Sequence, residues 1–342
     1  MKIKQVALFA GVALAALAAM PAQAQQATVL KFSSWLPPGH PIMQGMVIPW
    51  GKQIEDATKG RVKLEIMPSS LGPPQAQFDI AKDGLADVAV SVHGYTPGRF
   101  TLTDVVELPF LGDKAEPISV AYWRVHQAML AKADEHKGVK MVAVFSHGPG
   151  HILNIKKPIR SLDDLNGMKF RVGGGMVNHI AKEIGVVPVL QPATKAYEIL
   201  STGVADGLLF PTESVAFFKL DKLIKFATVV PRGLYNTSFF IVMNQAKWDA
   251  LSADDKKAIE PTMYEAWARM AGKAWDVADR AGHEAMKAAG IQSEPMSADF
   301  QKAVAAKLVG VEKEFVEKAK AKGVDGAAAI AMLKAEIVKE TK

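Results

Sequence analysis

In the run Met168-Lys169-Phe170-Arg171-Val172, Arg171 stands where a core side chain belongs. Its guanidinium cannot shed its charge, and its planar fork of five donors fits one carboxylate through two parallel hydrogen bonds. Two partners answer that demand: an Asp or Glu of the same protein, or the carboxylate of a bound organic acid. Other residues with chemical reach are few. His147 and His151 are four apart, a spacing that on a helix would bring two imidazoles to one metal. Gly148-Pro149-Gly150 lies between them and forbids that helix, so they read as hydrogen-bonding groups for backbone or ligand. His93 follows directly on an apolar strand and is a further candidate ligand contact. Gly173-Gly174-Gly175, just after Arg171, reads either as a backbone nest for an anion or as a plain turn. Gly-x-Gly-x-x-Gly spacing, a Walker loop and a Gly-x-Ser-x-Gly elbow are all missing, so neither a cofactor nor a metal is expected.

The elements that must hold these residues are legible as an α/β chain. Ser161 with Asp163 and Asp164 reads as a capped helical turn, Asn166-Gly167 as its stop, and Met168–Val172 as a buried strand. Earlier, Thr28–Ser33 is a strand running into the proline-rich loop Ser34-Trp35-Leu36-Pro37-Pro38-Gly39-His40-Pro41, and pockets form at such strand ends. Ile42–Thr58 reads as a helix, Arg61–Met67 as a strand, Gln75–Asp83 as a helix and Asp87–Val92 as a buried strand. This βαβαβ order predicts a doubly wound, mostly parallel sheet that holds ligands at the carboxyl ends of its strands. After a helix at Pro117–Glu135 and a strand at Val139–Phe145, the polar stretch Ser146–His151 reads as a crossing into a second α/β block. That block takes in Lys169–Val172, Val186–Leu190 and Asp206–Phe210, while Phe226–Val230 and Ser238–Met243 read as strands returning to the first block. The expected division is residues 25–147, with a return strand near 236–245, then 148–235, and from 246 onward only helices, restarted at Pro261.

Met1-Lys2-Ile3-Lys4, an uncharged run from Val6 to Met20 and Pro21-Ala22-Gln23-Ala24 have the form of a secretory signal peptide cleaved near Ala24. A soluble periplasmic protein is expected, without disulfides or thiolate metal sites since cysteine is lacking. The formal charge of +6 falls to +4 once Lys2 and Lys4 leave, and the surplus is scattered, so no nucleic-acid partner is expected.

Several pieces in serial order carry a family resemblance: Leu71-Gly72, Gly84-Leu85-Ala86-Asp87-Val88-Ala89, Leu108-Pro109-Phe110, Asp164-Leu165-Asn166-Gly167-Met168-Lys169-Phe170-Arg171 and Gly203-Val204-Ala205-Asp206-Gly207. Over nearly the whole mature chain the sequence resembles the solute-binding proteins of tripartite ATP-independent periplasmic (TRAP) transporters, of the dicarboxylate-binding-protein-like kind. The resemblance implies a two-domain clamshell with a long helix lying across both domains, no catalysis, and delivery of a small organic acid to sodium-driven small and large membrane subunits. It also implies that Arg171 grips the ligand carboxylate. Many members carry a second arginine where this chain has His151, and an Asn where it has Phe210.

With one confident cation, the pocket is expected to prefer one carboxylate, because a second would be buried unpaired. Phe210, Trp35 at the end of the first strand and Tyr235 near the crossing favour an apolar or aromatic body, and His151 and Gly173 complete the candidate contacts. A monocarboxylate with an aromatic or 2-oxo/2-hydroxy body is therefore expected. The alternatives are a C4-dicarboxylate and, from another class, a secreted α/β enzyme with His147 or His151 as its base.

Overall fold

The computed structural model describes residues 27–342, and the expected signal peptide lies outside them. Two mixed sheets form the framework. The first has the order β2-β1-β3-β10-β4, from β1 (Thr28–Ser33), β2 (Val62–Ile66), β3 (Val88–Val92), β4 (Val139–Ser146) and β10 (Ser238–Asn244). β1 runs parallel to β2 and β3, whereas β10 enters antiparallel between β3 and β4. All five residues of β3 are buried, as a central strand covered on both faces requires.

The second sheet has the order β11-β9-β5-β8-β6-β7, from β5 (His151–Asn154), β6 (Lys169–Val172), β7 (Val187–Leu190), β8 (Gly207–Phe210), β9 (Phe226–Val229) and β11 (Gln292–Pro295). Here three expectations are corrected. Phe226–Val229 does not return to the first sheet, because it pairs with β5 in the second, and β10 alone goes back. His151, read as the last residue of the crossing Ser146–His151, instead opens a fully buried strand, His151–Asn154, paired with β8 and β9. The carboxy-terminal third is not purely helical, since Gln292–Pro295 adds a parallel edge strand beside β9. Its four residues are exposed and show no apolar alternation, so it leaves no strand signature.

The turn that positions β6 forms as its residues dictate. Ser161 and Asp164 make a reciprocal capping box around Leu162–Leu165, and Gly167 supplies the positive φ of 75° that ends the turn. Pro261 likewise interrupts helix Ala253–Ile259, and after a 3₁₀ turn the chain restarts as the helix Tyr264–Ala288.

That 25-residue helix is about 37 Å long at 1.5 Å per residue and packs on both domains. It lies against Ala115–Val125 and β4 on one side and against Glu213–Phe217 on the other. Two glycines allow the approach: a Cβ on Gly272 would sit 2.3 Å from Glu116 Cα, and one on Gly282 would sit 2.3 Å from the Thr212 carbonyl oxygen. Its buried face runs through Trp267, Ala271, Trp275, Gly282 and Met286, while Met270, Ala274 and Ala278 are half-buried. Arg124 and Arg269 tie the helix to the carboxy-terminal helix Gly326–Thr341 by shared ion pairs with Glu265 and Glu340.

Candidate ligand-binding site

Besides the passage made through the long helix, the chain passes twice between the sheets, at Ser146–Gly150 and at Pro231–Thr237, and these two passes are bonded together. Gly150 N donates to Tyr235 O at 2.9 Å, Leu234 N to Gly150 O at 2.9 Å, and the Asn236 amide to the His147 and Gly148 carbonyls. Beside these passes lies a cleft with about 440 Å³ of empty space, the solvent at its mouth included. The first domain supplies Trp35, His40, Val92 and Tyr95 to its wall, and the second supplies Arg171, Gly173, Phe210, Glu213 and Ser214. The crossing adds His147 and Tyr235, β10 adds Phe239, and the long helix adds Trp275.

Arg171 is only 2% exposed and, among the described residues, makes no ion pair with a carboxylate. Its Nε donates to the Gln191 carbonyl at 2.8 Å, its Nη2 lies 3.5 Å from Tyr95 Oη, and its guanidinium carbon stands 4.3 Å from the centre of the Phe210 ring. The fork is thus held in place by a carbonyl and a ring face, while most of its donors stay uncommitted. Tyr95 reaches across the cleft, and its oxygen accepts from Ala193 N at 3.0 Å.

The aromatic walls are fixed in the same way. Trp35 Nε1 donates to Val90 O at 2.9 Å and its ring meets Tyr95 edge-on at 5.8 Å. Tyr235 Oη donates to Leu209 O at 2.7 Å, and Phe210 stacks on Phe218 at 6.0 Å. Of the residues expected at the site, Arg171, Phe210, Trp35, Tyr235 and Gly173 come together here.

His151 and His93 do not. His151 is buried beside the long helix, its Nδ1 accepting from Val230 N at 3.1 Å and its ring 6.4 Å from that of His283. Val92 lines the cavity, so the side chain of His93 leaves on the opposite side, into the core of the first domain. There Nδ1 pairs with Ser238 Oγ at 2.7 Å and Nε2 with His136 Nε2 at 2.8 Å. The glycine stretch also differs from a free anion nest. Gly175 precedes helix Met176–Glu183, and the buried Glu107 carboxylate occupies that end, accepting from Met176 N and Ser238 N at 2.8 Å each.

Four of the wall's polar residues bear on its chemistry: His147 was read from the sequence as a hydrogen-bonding group for backbone or ligand, whereas His40, Tyr95 and Glu213 escaped that reading. Burial lowers His40 to about 3, and it lowers His147 to about 4 against the opposing pull of the Gly148 carbonyl, so both are neutral at pH 7. Glu213 is 4% exposed, and burial followed by the nearby Asp279 pushes its carboxyl up to about 8. Its Oε1 accepts from Ser214 Oγ at 3.0 Å, and its Oε2 has no partner among the described residues. Tyr95 is the fourth. The available signal was position, since Tyr95 and Glu213 each stand three residues beyond a strand that ends at the cleft. At neutral pH Arg171 is the one charged side chain among the residues that line the cavity.

Two sheets bridged by a long helix, with an aromatic cleft between them and an unpaired guanidinium in its wall, define a solute-binding protein. The chain belongs to the bacterial extracellular solute-binding proteins of family 7 (DctP), whose profile matches residues 32–319. A TRAP periplasmic solute-binding protein from Bordetella bronchiseptica, with bound (R)-mandelate and (S)-mandelate, is 41% identical with a TM-score of 0.89, covering 91% of this chain and 99% of that one. A marine metagenome TRAP solute-binding protein specific for aromatic acid ligands, in complex with 3-hydroxybenzoate, is 35% identical with a TM-score of 0.87, covering 93% and 100%. The outer membrane transporter protein TsaT of Comamonas testosteroni is 32% identical over 325 residues, 94% of this chain and 96% of that protein. No helix among the described residues is long and apolar enough to cross a membrane.

Proposed function

We propose that this TRAP solute-binding protein captures an aromatic monocarboxylic acid in the periplasm and hands it to the membrane subunits of a sodium-coupled transporter. The carboxylate lies on the Arg171 fork and the ring lies among Trp35, Phe210, Tyr235 and Phe239. The observation that carries this reading is the state of Arg171: buried, oriented by Gln191 and Phe210, and without a carboxylate partner among the described residues. A buried charge left without a counter-charge costs several kcal/mol, so the site favours an anionic occupant. Tyr95, His147 and Glu213 join the contacts expected from sequence, and His151 and His93 serve the fold. Mandelate and 3-hydroxybenzoate, bound by proteins 41% and 35% identical to this one, are acids of the proposed class.

A C4-dicarboxylate fits the cavity less well, because among the described residues one cation lines it and the second carboxylate would meet aromatic faces. A thermal-shift panel of the full chain tests the proposal. Benzoate, mandelate and 3-hydroxybenzoate are expected to raise the melting temperature in a saturable way, and succinate and malate are not. Stabilisation by the dicarboxylates alone overturns the assignment. Product formed from any of these acids during incubation would favour an enzyme.

A further inference from the structure

We infer that Glu213 is the residue that selects hydroxylated aromatic acids, its unpartnered Oε2 pairing with a hydroxyl of the ligand. The inference rests on the proposed capture of an aromatic acid and adds a specificity that a guanidinium and a ring of aromatics do not provide. Most polar groups of the wall are already committed. Trp35 Nε1 is bonded to Val90 O, Tyr235 Oη to Leu209 O, and His147 Nδ1 to Gly148 O. Arg171 keeps its free donors for the carboxylate. Glu213 lines the cavity with one oxygen satisfied by Ser214 and the other buried without a partner among the described residues.

An enclosed polar atom without a partner is unfavourable unless something arrives to pair with it. A hydroxyl suits it because it both donates and accepts, whichever carboxyl oxygen carries the proton. A second unpartnered oxygen, Asp279 Oδ2 on the long helix, is packed against Gly148, where a Cβ would come within 1.9 Å of it. Asp279 does not line the cavity, whereas Glu213 does. Burial and Asp279 keep Glu213 protonated at neutral pH, so it does not repel a carboxylate ligand.

Titration calorimetry of the full chain at pH 7 tests the assignment with two matched pairs, mandelate against phenylacetate and 3-hydroxybenzoate against benzoate, together with phenylglycine. The wild type is expected to prefer the hydroxylated member of at least one pair by about 10- to 100-fold, as the pairing of one buried polar group implies. In Glu213→Leu the preference falls to within roughly 2-fold, and in Glu213→Gln, which keeps a donor and an acceptor, most of it remains. Absence of any preference in the wild type, an undiminished preference in Glu213→Leu, or tighter binding of phenylglycine than of mandelate overturns the inference. Should Glu213→Leu fail to fold, the wild-type ratios still decide. Binding without hydroxyl preference defeats this inference alone, whereas failure of every aromatic acid to bind defeats the proposed function with it.

Discussion

Replacing Glu213 by Gln removes a proton-binding site whose occupancy differs between the folded and unfolded chain. Burial, then the neighbouring Asp279, raises the folded carboxyl from 4.5 to about 8. Between those two values the unfolded chain has released a proton that the folded chain still holds, so the contribution to stability is greatest below pH 4.5 and declines as pH rises to 8. At about 1.4 kcal/mol per pH unit, the group removes on the order of 3–4 kcal/mol of stability between pH 5 and pH 8. For a chain of this size that corresponds to roughly 5 °C in Tm. Glutamine keeps an oxygen for the Ser214 hydroxyl and does not titrate, so the Tm of the unliganded variant should fall less over this range by about that amount. Asp279, raised to about 7, and Asp104, raised to about 6, act in the same direction but are present in both proteins, so the difference between the two curves isolates Glu213. Melts from pH 5 to pH 8 at constant ionic strength give the result. Parallel curves for wild type and Glu213→Gln would refute the claim that Glu213 is neutral at pH 7.

Arg171→Lys keeps the charge but loses the planar fork, and Arg171→Ala loses both, so binding of the acid should weaken by roughly 30-fold to several thousand-fold in calorimetry, with alanine the worse. Gly94→Ala places a methyl 2.7 Å from the Gly174 carbonyl carbon across the cleft, so it should hinder closure. The expected signs are at least about tenfold weaker affinity, less compaction on ligand addition in small-angle scattering, and an unliganded Tm close to wild type. His151→Ala leaves Val230 N without its acceptor inside the second domain, so it should lower Tm by several degrees while changing affinity by less than about threefold.

What the sequence discloses about this protein depends on whether a signal is local. The Ser161–Asp164 capping box, the Gly167 stop and the strand that carries Arg171 are written in consecutive residues, and the structure repeats them. Trp35, Phe210 and Tyr235 were legible because each stands at the end of a strand or at the crossing, and they now line one cavity. His93 and His151 were misplaced because position along the chain does not state direction. One turns away from the cleft after Val92, and the other is spent on the Val230 amide. Glu213 was invisible for a different reason: a glutamate three residues past a strand reads as solvated until the fold encloses it. The return path of the chain was legible only in part, since the apolar runs at Phe226–Val229 and Ser238–Asn244 look alike and only pairing assigns them to different sheets. β11 has no apolar residue to announce it apart from Pro295 at its end.

Whether Arg171 is the carboxylate clamp of an aromatic-acid site is decided by a crystal structure of the full chain grown with 3-hydroxybenzoate or mandelate. The ligand carboxylate is expected in two parallel hydrogen bonds of about 2.7–2.9 Å with the Arg171 guanidinium, and the ring enclosed by Trp35, Phe210 and Tyr235. A carboxylate bound away from Arg171, or a ligand lying outside this cavity while Arg171 keeps only Gln191 and Phe210, would contradict that assignment.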